Sequence, residues 1–147
     1  AFAAGQVWTD RCVAAGVPFR VEAVQAPLLL QTDAARVRQI ADGLLENALR
    51  VTPAGAPVVL AVRTEHPTDG RRWAVLEVRD GGPGLSDEDL AVAFQRAVLY
   101  ERYRGVRQVG TGLGLAIVDR LARRLGGQVE AGHAPEGGAR FTVRLPA

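Results

Sequence analysis

The sequence predicts an α+β sandwich with a mostly antiparallel sheet, and three observations lead there. Two pairs of β-rich runs are joined by turn residues: Val58–Thr64 with Trp73–Arg79 around Pro67-Thr68-Asp69-Gly70, and Gln128–Ala131 with Arg140–Leu145 around Pro135-Glu136-Gly137-Gly138. Helical stretches are interspersed with these hairpins, without the regular strand–helix alternation of a parallel α/β fold. The chain has 147 residues, of which 48% are hydrophobic, enough to bury one sizeable core as a single domain over 1–147.

Taken in order, residues 3–15 are alanine-rich, carry Val7, Trp8 and Val13, and predict an opening helix ended by Gly16 and Pro18. Phe19–Val24 and the apolar run Leu28-Leu29-Leu30 read as strands. Thr32 and Asp33 are good N-caps for a helix with apolar positions at Val37, Ile40, Ala41, Leu44, Ala48 and Val51, a core-facing stripe. Thr52-Pro53 ends it, because the residue before proline avoids helical angles. After the first hairpin, Ser86-Asp87-Glu88-Asp89 supplies a cap and first-turn acids for a short helix reaching about Phe94. Residues 95–109 lack periodicity. A final helix follows Gly110, with Leu113, Ile117, Leu121 and Leu125 as the expected buried face, and Gly126-Gly127 closes it.

Composition excludes several functions. A net charge of +2, scattered basic residues and few aromatics argue against nucleic acid as a partner. The single cysteine, Cys12, cannot form an internal disulfide and reads as a packed side chain in a reducing compartment. No apolar run is long enough to span a membrane. All 18 basic residues are arginines, so neither a Walker-type phosphate loop nor the strand lysine of eukaryotic-type protein kinases can exist here. The chain starts at Ala1 and has no methionine, so it is expected to be part of something longer.

Four stretches carry candidate chemistry. Asn47 shares one side of its helix with Gly43 and Arg50, and its amide oxygen is a hard ligand of the kind Mg²⁺ accepts; an exposed helical Asn is the plain alternative. Asp80 ends a strand and opens Asp80-Gly81-Gly82-Pro83-Gly84. Its carboxylate can accept from the exocyclic amine of adenine, whereas guanine would present a carbonyl there; an ordinary Asp-Gly turn is the alternative. The segment from Phe94 to Val109 carries Arg96, Arg102, Arg104 and Arg107, either a phosphate clamp or a solvated basic loop. Gly110-Thr111-Gly112-Leu113-Gly114-Leu115 runs into a helix and offers free amides at the positive end of its dipole, either for phosphate or as a tight packing corner.

In this order and spacing, the set resembles the catalytic ATP-binding domain of two-component sensor histidine kinases, within the GHKL ATPase superfamily. Leu44 to Pro53 looks like the asparagine box, Asp80 to Leu85 like the first glycine box, Gly110 to Leu115 like the second, and Phe94 falls at the phenylalanine box. The resemblance implies a two-layer α/β sandwich with a mixed, mostly antiparallel sheet on about three helices, and a flexible ATP lid at about 95–109. It implies ATP and Mg²⁺ as cofactors, with Asn47 on the metal and Asp80 on adenine. Gly82 and Gly84 would shape the base pocket. Gly110, Thr111, Gly112, Leu113 and Gly114 would receive phosphates, with Arg50 beside the nucleotide and Arg96 a candidate for the γ-phosphate. The implied partners are the dimerisation domain of the parent protein, which bears the acceptor histidine, and a response regulator downstream. The implied setting is a cytoplasmic, soluble domain of a membrane-anchored sensor.

The sequence departs from that family at several points, among them the absence of the aromatic often found after the basic residue of the asparagine box, near whose position Val51 stands. Gly43 stands where the family often has a second Asn and where the gyrase, MutL and heat-shock-chaperone branches carry a water-activating Glu, which argues against gyrase-type hydrolysis. The phenylalanine box is degenerate, with Ala97 in place of its second aromatic. The only histidines, His66 and His133, lie beside turn residues in loops between strands and are not acceptor candidates. Two rival functions stay open: a nucleotide-binding regulatory module without transferase activity, and a serine kinase of the anti-sigma-factor type.

Overall fold

The computed structural model describes residues 4–23, 34–65, 70, 72–95 and 114–146. In chain order the elements are α1 (Ala4–Ala14), β1 (Phe19–Ala23), α2 (Ala34–Val51), β2 (Val58–Glu65), β3 (Trp73–Asp80), α3 (Asp87–Ala91), α4 (Gly114–Arg124), β4 (Gln128–His133) and β5 (Ala139–Pro146). The strands form one five-stranded sheet ordered β1-β2-β3-β5-β4. Only β1 and β2 pair in parallel, with Phe19 opposite Val58. The remaining pairs are antiparallel, Val58 opposite Asp80, Val78 opposite Phe141 and Ala131 opposite Phe141. The sheet is therefore mixed and mostly antiparallel. The expected strand at Leu28–Leu30 and the expected caps Thr32 and Asp33 lie outside the described residues.

Strand alternation sorts the side chains onto two unlike faces. On the helix-bearing face, Val58, Leu60 and Val62 of β2, Leu76 and Val78 of β3, and Phe141, Val143 and Leu145 of β5 are buried. Against them pack Ile40, Leu44 and Ala48 of α2, Val118 and Ala122 of α4, and Trp8 and Cys12 of α1. The Trp8 indole N–H donates to Asp42 Oδ1 at 2.8 Å, and Arg11 stacks over the same ring at 4.2 Å. That contact turns Trp8 inward and leaves Val13 73% exposed.

The opposite face carries a lattice of arginine and glutamate. Arg79 donates to Glu22, Glu77 and Glu136, Arg63 to Glu65 and Glu77, and Arg144 to Glu65 and Glu130. Glu77 is buried at its centre, where Thr142 Oγ1 also donates to it at 3.0 Å. Val59 and Val75, fully buried on this face, sit opposite Arg79 and Arg63, whose aliphatic stems suit such cover.

Two expectations need correction. The buried face of α4 is Leu115, Val118, Leu121 and Ala122, and Ile117 is 44% exposed. Leu121 and Leu125 do meet the core as expected; a step of four residues advances about 400° around a helix, about 40° past a full turn, so Ile117 lies off the side that Leu121 buries. His133 is the last residue of β4 rather than part of a loop, and its Nε2 lies 2.7 Å from Asp87 Oδ1.

Candidate ATP-binding site

Helix α2 connects the parts of the site. Gly43, Asn47 and Val51 follow one another at four-residue spacing and so share a face. A Cβ on Gly43 would come within 2.8 Å of Val118 Cγ2 and 3.8 Å of the Gly114 carbonyl oxygen, so the first turn of α4 lies against this point. The Gly43 side of α2 is thus a helix–helix contact as well as the approach to the site. One turn later Asn47 is half-buried, and its side-chain amide has no hydrogen-bond partner among the described residues. Another turn on, the Val51 carbonyl oxygen lies where a Cβ on Gly82 would approach to 2.7 Å. Over roughly 12 Å of helix, then, α2 bridges the start of α4 and the glycine loop after β3. Arg50 flanks this face and pairs with Glu46 at 3.7 Å.

Asp80 closes the other end. As the last residue of β3 it points to the helix-bearing face and is 1% exposed. Its Oδ1 accepts from the Gly82 amide at 2.9 Å and the Ala139 amide at 3.3 Å, and its carbonyl accepts from the Gly138 amide at 3.0 Å. The Gly81 amide donates to the Pro57 carbonyl at 2.9 Å, which ties the loop to the α2–β2 connection. The bond from the Gly82 amide is ordinary Asp-Gly turn chemistry, but the carboxylate is also buried and held from a second side by the Ala139 amide, which a plain turn does not require. A Cβ on Gly138 would overlap the Asp80 carboxylate and carbonyl oxygens, and one on Gly84 would lie 3.3 Å from the Gly137 carbonyl oxygen. Sequence reasoning missed Gly138 as part of this site. The signal was the paired glycine in the last turn, read there only as turn chemistry.

Gly114 heads α4 and is exposed, and the first turn of that helix contains no acid to offset its dipole. Phe94 packs edge-to-face on Phe141 at 5.7 Å, so the phenylalanine-box residue anchors its segment to the core. Arg96, Gly110, Thr111, Gly112, Leu113 and His66 lie outside the described residues, as does nearly all of the expected lid. Among the described residues, no group of three or more His, Cys, Asp or Glu side chains could hold a metal. No helix there is long and apolar enough to cross a membrane.

Residues 32–147 match the family described as histidine kinase-, DNA gyrase B- and HSP90-like ATPase. The chain belongs to this ATPase family. The ATPase domain is 42% identical over 134 residues to the sensor protein TorS of Escherichia coli, covering 89% of this chain and 14% of that protein. It is 38% identical over 119 residues to the sensor histidine kinase component HK1 of Mycobacterium tuberculosis, covering 81% of this chain and 66% of that one. With BaeS of Escherichia coli the identity is 35%, and the chain spans 23% of that kinase. It thus spans only a part of each of these relatives. Among solved structures, full-length ShkA in complex with AMPPNP superposes with a TM-score of 0.71 at 30% identity, over 96% of this chain and 28% of that one. A mycobacterial sensor kinase, MprB, superposes with a TM-score of 0.69 over 97% of this chain and 93% of that one; at 23% identity this speaks for the fold alone. The ATPase domain is accordingly of the catalytic, ATP-binding type found in two-component sensor histidine kinases.

Proposed function

We propose that this domain binds Mg-ATP and delivers its γ-phosphate to a histidine on a separate domain of a sensor kinase. The observation that carries the reading is the continuity of one surface: buried Asp80, then Gly82 against Val51, Asn47 one turn back, and Gly43 against the start of α4. A nucleotide laid along it would have its base at Asp80 and its phosphates at the amide end of α4.

Each role follows from chemistry. An oriented carboxylate accepts from the adenine amine, and the two backbone amides on Oδ1 fix its direction before the base arrives. The α4 N-terminus presents N–H groups and positive dipole to phosphate. The Asn47 amide oxygen fits Mg²⁺, which takes one or two protein oxygens and completes its shell with water and substrate phosphates. Bound there, the ion would neutralise charge on the phosphates during transfer. Phosphoryl transfer demands alignment more than a base, so Gly43, which cannot activate water, is compatible with a transferase. That full-length ShkA was solved in complex with AMPPNP supports nucleotide binding as the role of this fold.

The test pairs binding with transfer. Asp80→Asn should weaken ATP at least tenfold by calorimetry, since an amide nitrogen facing the base amine repels it, while unfolding shifts far less. Unchanged affinity would sink the assignment. Mixing the domain with labelled ATP and a histidine-bearing dimerisation region should give acid-labile phosphohistidine. An acid-stable product would favour a serine kinase, and no product a regulatory module.

A further inference from the structure

We infer that the Arg79–Glu136 ion pair, on the sheet face away from the helices, is a positioning element for the nucleotide base; this rests on the adenine role proposed for Asp80.

Arg79 and Asp80 are consecutive in β3, so their side chains leave opposite faces of the sheet. Both grip the same β4–β5 turn. Asp80 holds it through its backbone carbonyl, which accepts from the Gly138 amide at 3.0 Å, and from the helix side through Oδ1, which accepts from the Ala139 amide at 3.3 Å. Arg79 holds it from the other side, its Nε donating to both Glu136 carboxylate oxygens at 3.1 and 3.2 Å. The rest of the guanidinium is committed to Glu77 at 3.0 Å and Glu22 at 3.1 Å, which fixes Arg79 itself to β3 and β1. Glu136 is 10% exposed at its side chain, and Arg20 approaches it at 3.7 Å.

On the face away from the helices, this turn has one side chain that can anchor it. Its residues are Ala134, Pro135, Glu136, Gly137 and Gly138, so Glu136 is the one long side chain in it. Two glycines in succession give the backbone wide freedom, and Gly137 has φ +103°. Backbone bonds close the turn, Ala134 N–H to the Gly138 carbonyl at 2.9 Å and Gly137 N–H to the Ala134 carbonyl at 3.0 Å, and the ion pair adds the side-chain hold that fixes the closed turn, and with it the start of β5, against β3. Gly138 also leaves the carboxylate no slack, because any added atom there would strike it. The position of the turn therefore sets the direction of the acceptor that reads the base.

A merely structural pair would affect stability alone. A positioning pair must change discrimination between adenine and hypoxanthine nucleotides, which differ in the amine that Asp80 would accept from. We would measure ADP and IDP affinities by calorimetry for the wild-type chain, Glu136→Ala, Glu136→Gln and Arg20→Ala, with amide hydrogen exchange at Gly138 and Ala139 in the nucleotide-free protein. Glu136→Ala should lower the ADP preference by roughly fivefold or more, the scale of one misaligned hydrogen bond, and speed exchange at both amides. Glu136→Gln, which still accepts from Arg79, should retain most of the preference. Arg20→Ala should leave it unchanged. Faster exchange with an unaltered ADP/IDP ratio in Glu136→Ala would overturn the inference, as would unaltered exchange. A wild-type ratio near one would remove the adenine reading itself, and this inference with it.

Discussion

Gly138 lies so close to Asp80 that its α-carbon cannot bear a side chain: the carboxylate and carbonyl oxygens of Asp80 occupy the space. The same glycine donates its amide to the Asp80 carbonyl. Gly138→Ala must therefore move either the turn or the carboxylate. Overpacking of this kind costs on the order of 1–3 kcal/mol. Urea unfolding should show that loss, and ATP affinity should fall with it. If the variant keeps wild-type affinity, the carboxylate has room to move and is not held as rigidly as its contacts indicate.

Gly43 offers a case where two effects compete. Replacing glycine by alanine inside a helix ordinarily stabilises by about 1 kcal/mol. Here the new Cβ would meet Val118 Cγ2 at 2.8 Å, closer than carbon atoms pack, at a cost of about 1–3 kcal/mol. Gly43→Ala should thus be neutral to destabilising. In Gly43→Ala/Val118→Ala the overlap disappears, and the double-mutant cycle should give a favourable coupling above about 0.5 kcal/mol. Additive effects would mean that α2 and α4 adjust freely at this crossing.

Much of this was legible in the sequence because the residues involved act locally. Asp80 and its glycines follow a strand whose alternation is plain, and Ser86 caps α3 as its spacing indicates, accepting from the Asp89 amide at 3.1 Å. Hairpin partners were readable from turn residues between β-rich runs. What stayed hidden was long-range. Glu136 is 57 residues from Arg79, and Gly138 packs on Asp80 from a similar distance along the chain, so no local pattern could connect them. Likewise Gly43 appears in the sequence as a missing ligand, whereas in the fold it is also the point where two helices touch. Ile117 was misassigned for a different reason, since a count by fours was mistaken for helical period.

Asn47 is the one candidate whose amide is both half-buried and without a partner among the described residues. Removing it should cost the fold little, because no hydrogen bond there is broken. Asn47→Ala should therefore lower ATP affinity in the presence of Mg²⁺ by about tenfold, and hardly at all with the ion chelated. An equal loss with and without Mg²⁺ would place Asn47 on the nucleotide rather than on the metal.

The arginine–glutamate face gives the domain an acid limit. Burial pushes the Glu77 carboxyl up, but hydrogen bonds from Arg79, the charge of Arg63 and the Thr142 hydroxyl outweigh it and hold the group below its ordinary value of 4.5. Glu65 is lowered too, chiefly by its hydrogen bond from Arg144. A carboxyl with a depressed folded pKa contributes stability that is complete above the unfolded value and lost as pH falls through the folded one. Stability from these two groups should hold from neutrality to about pH 5 and then decline as pH drops below 4.5. Glu77→Gln keeps the shape and an acceptor for Thr142 but no charge for Arg79, so it should cost about 1–3 kcal/mol at pH 7. Because the wild type loses that same charge in acid, the two denaturation midpoints should converge as pH falls below 4.5. A gap that stays constant over that range would show that Glu77 contributes through packing and hydrogen bonding rather than through its charge.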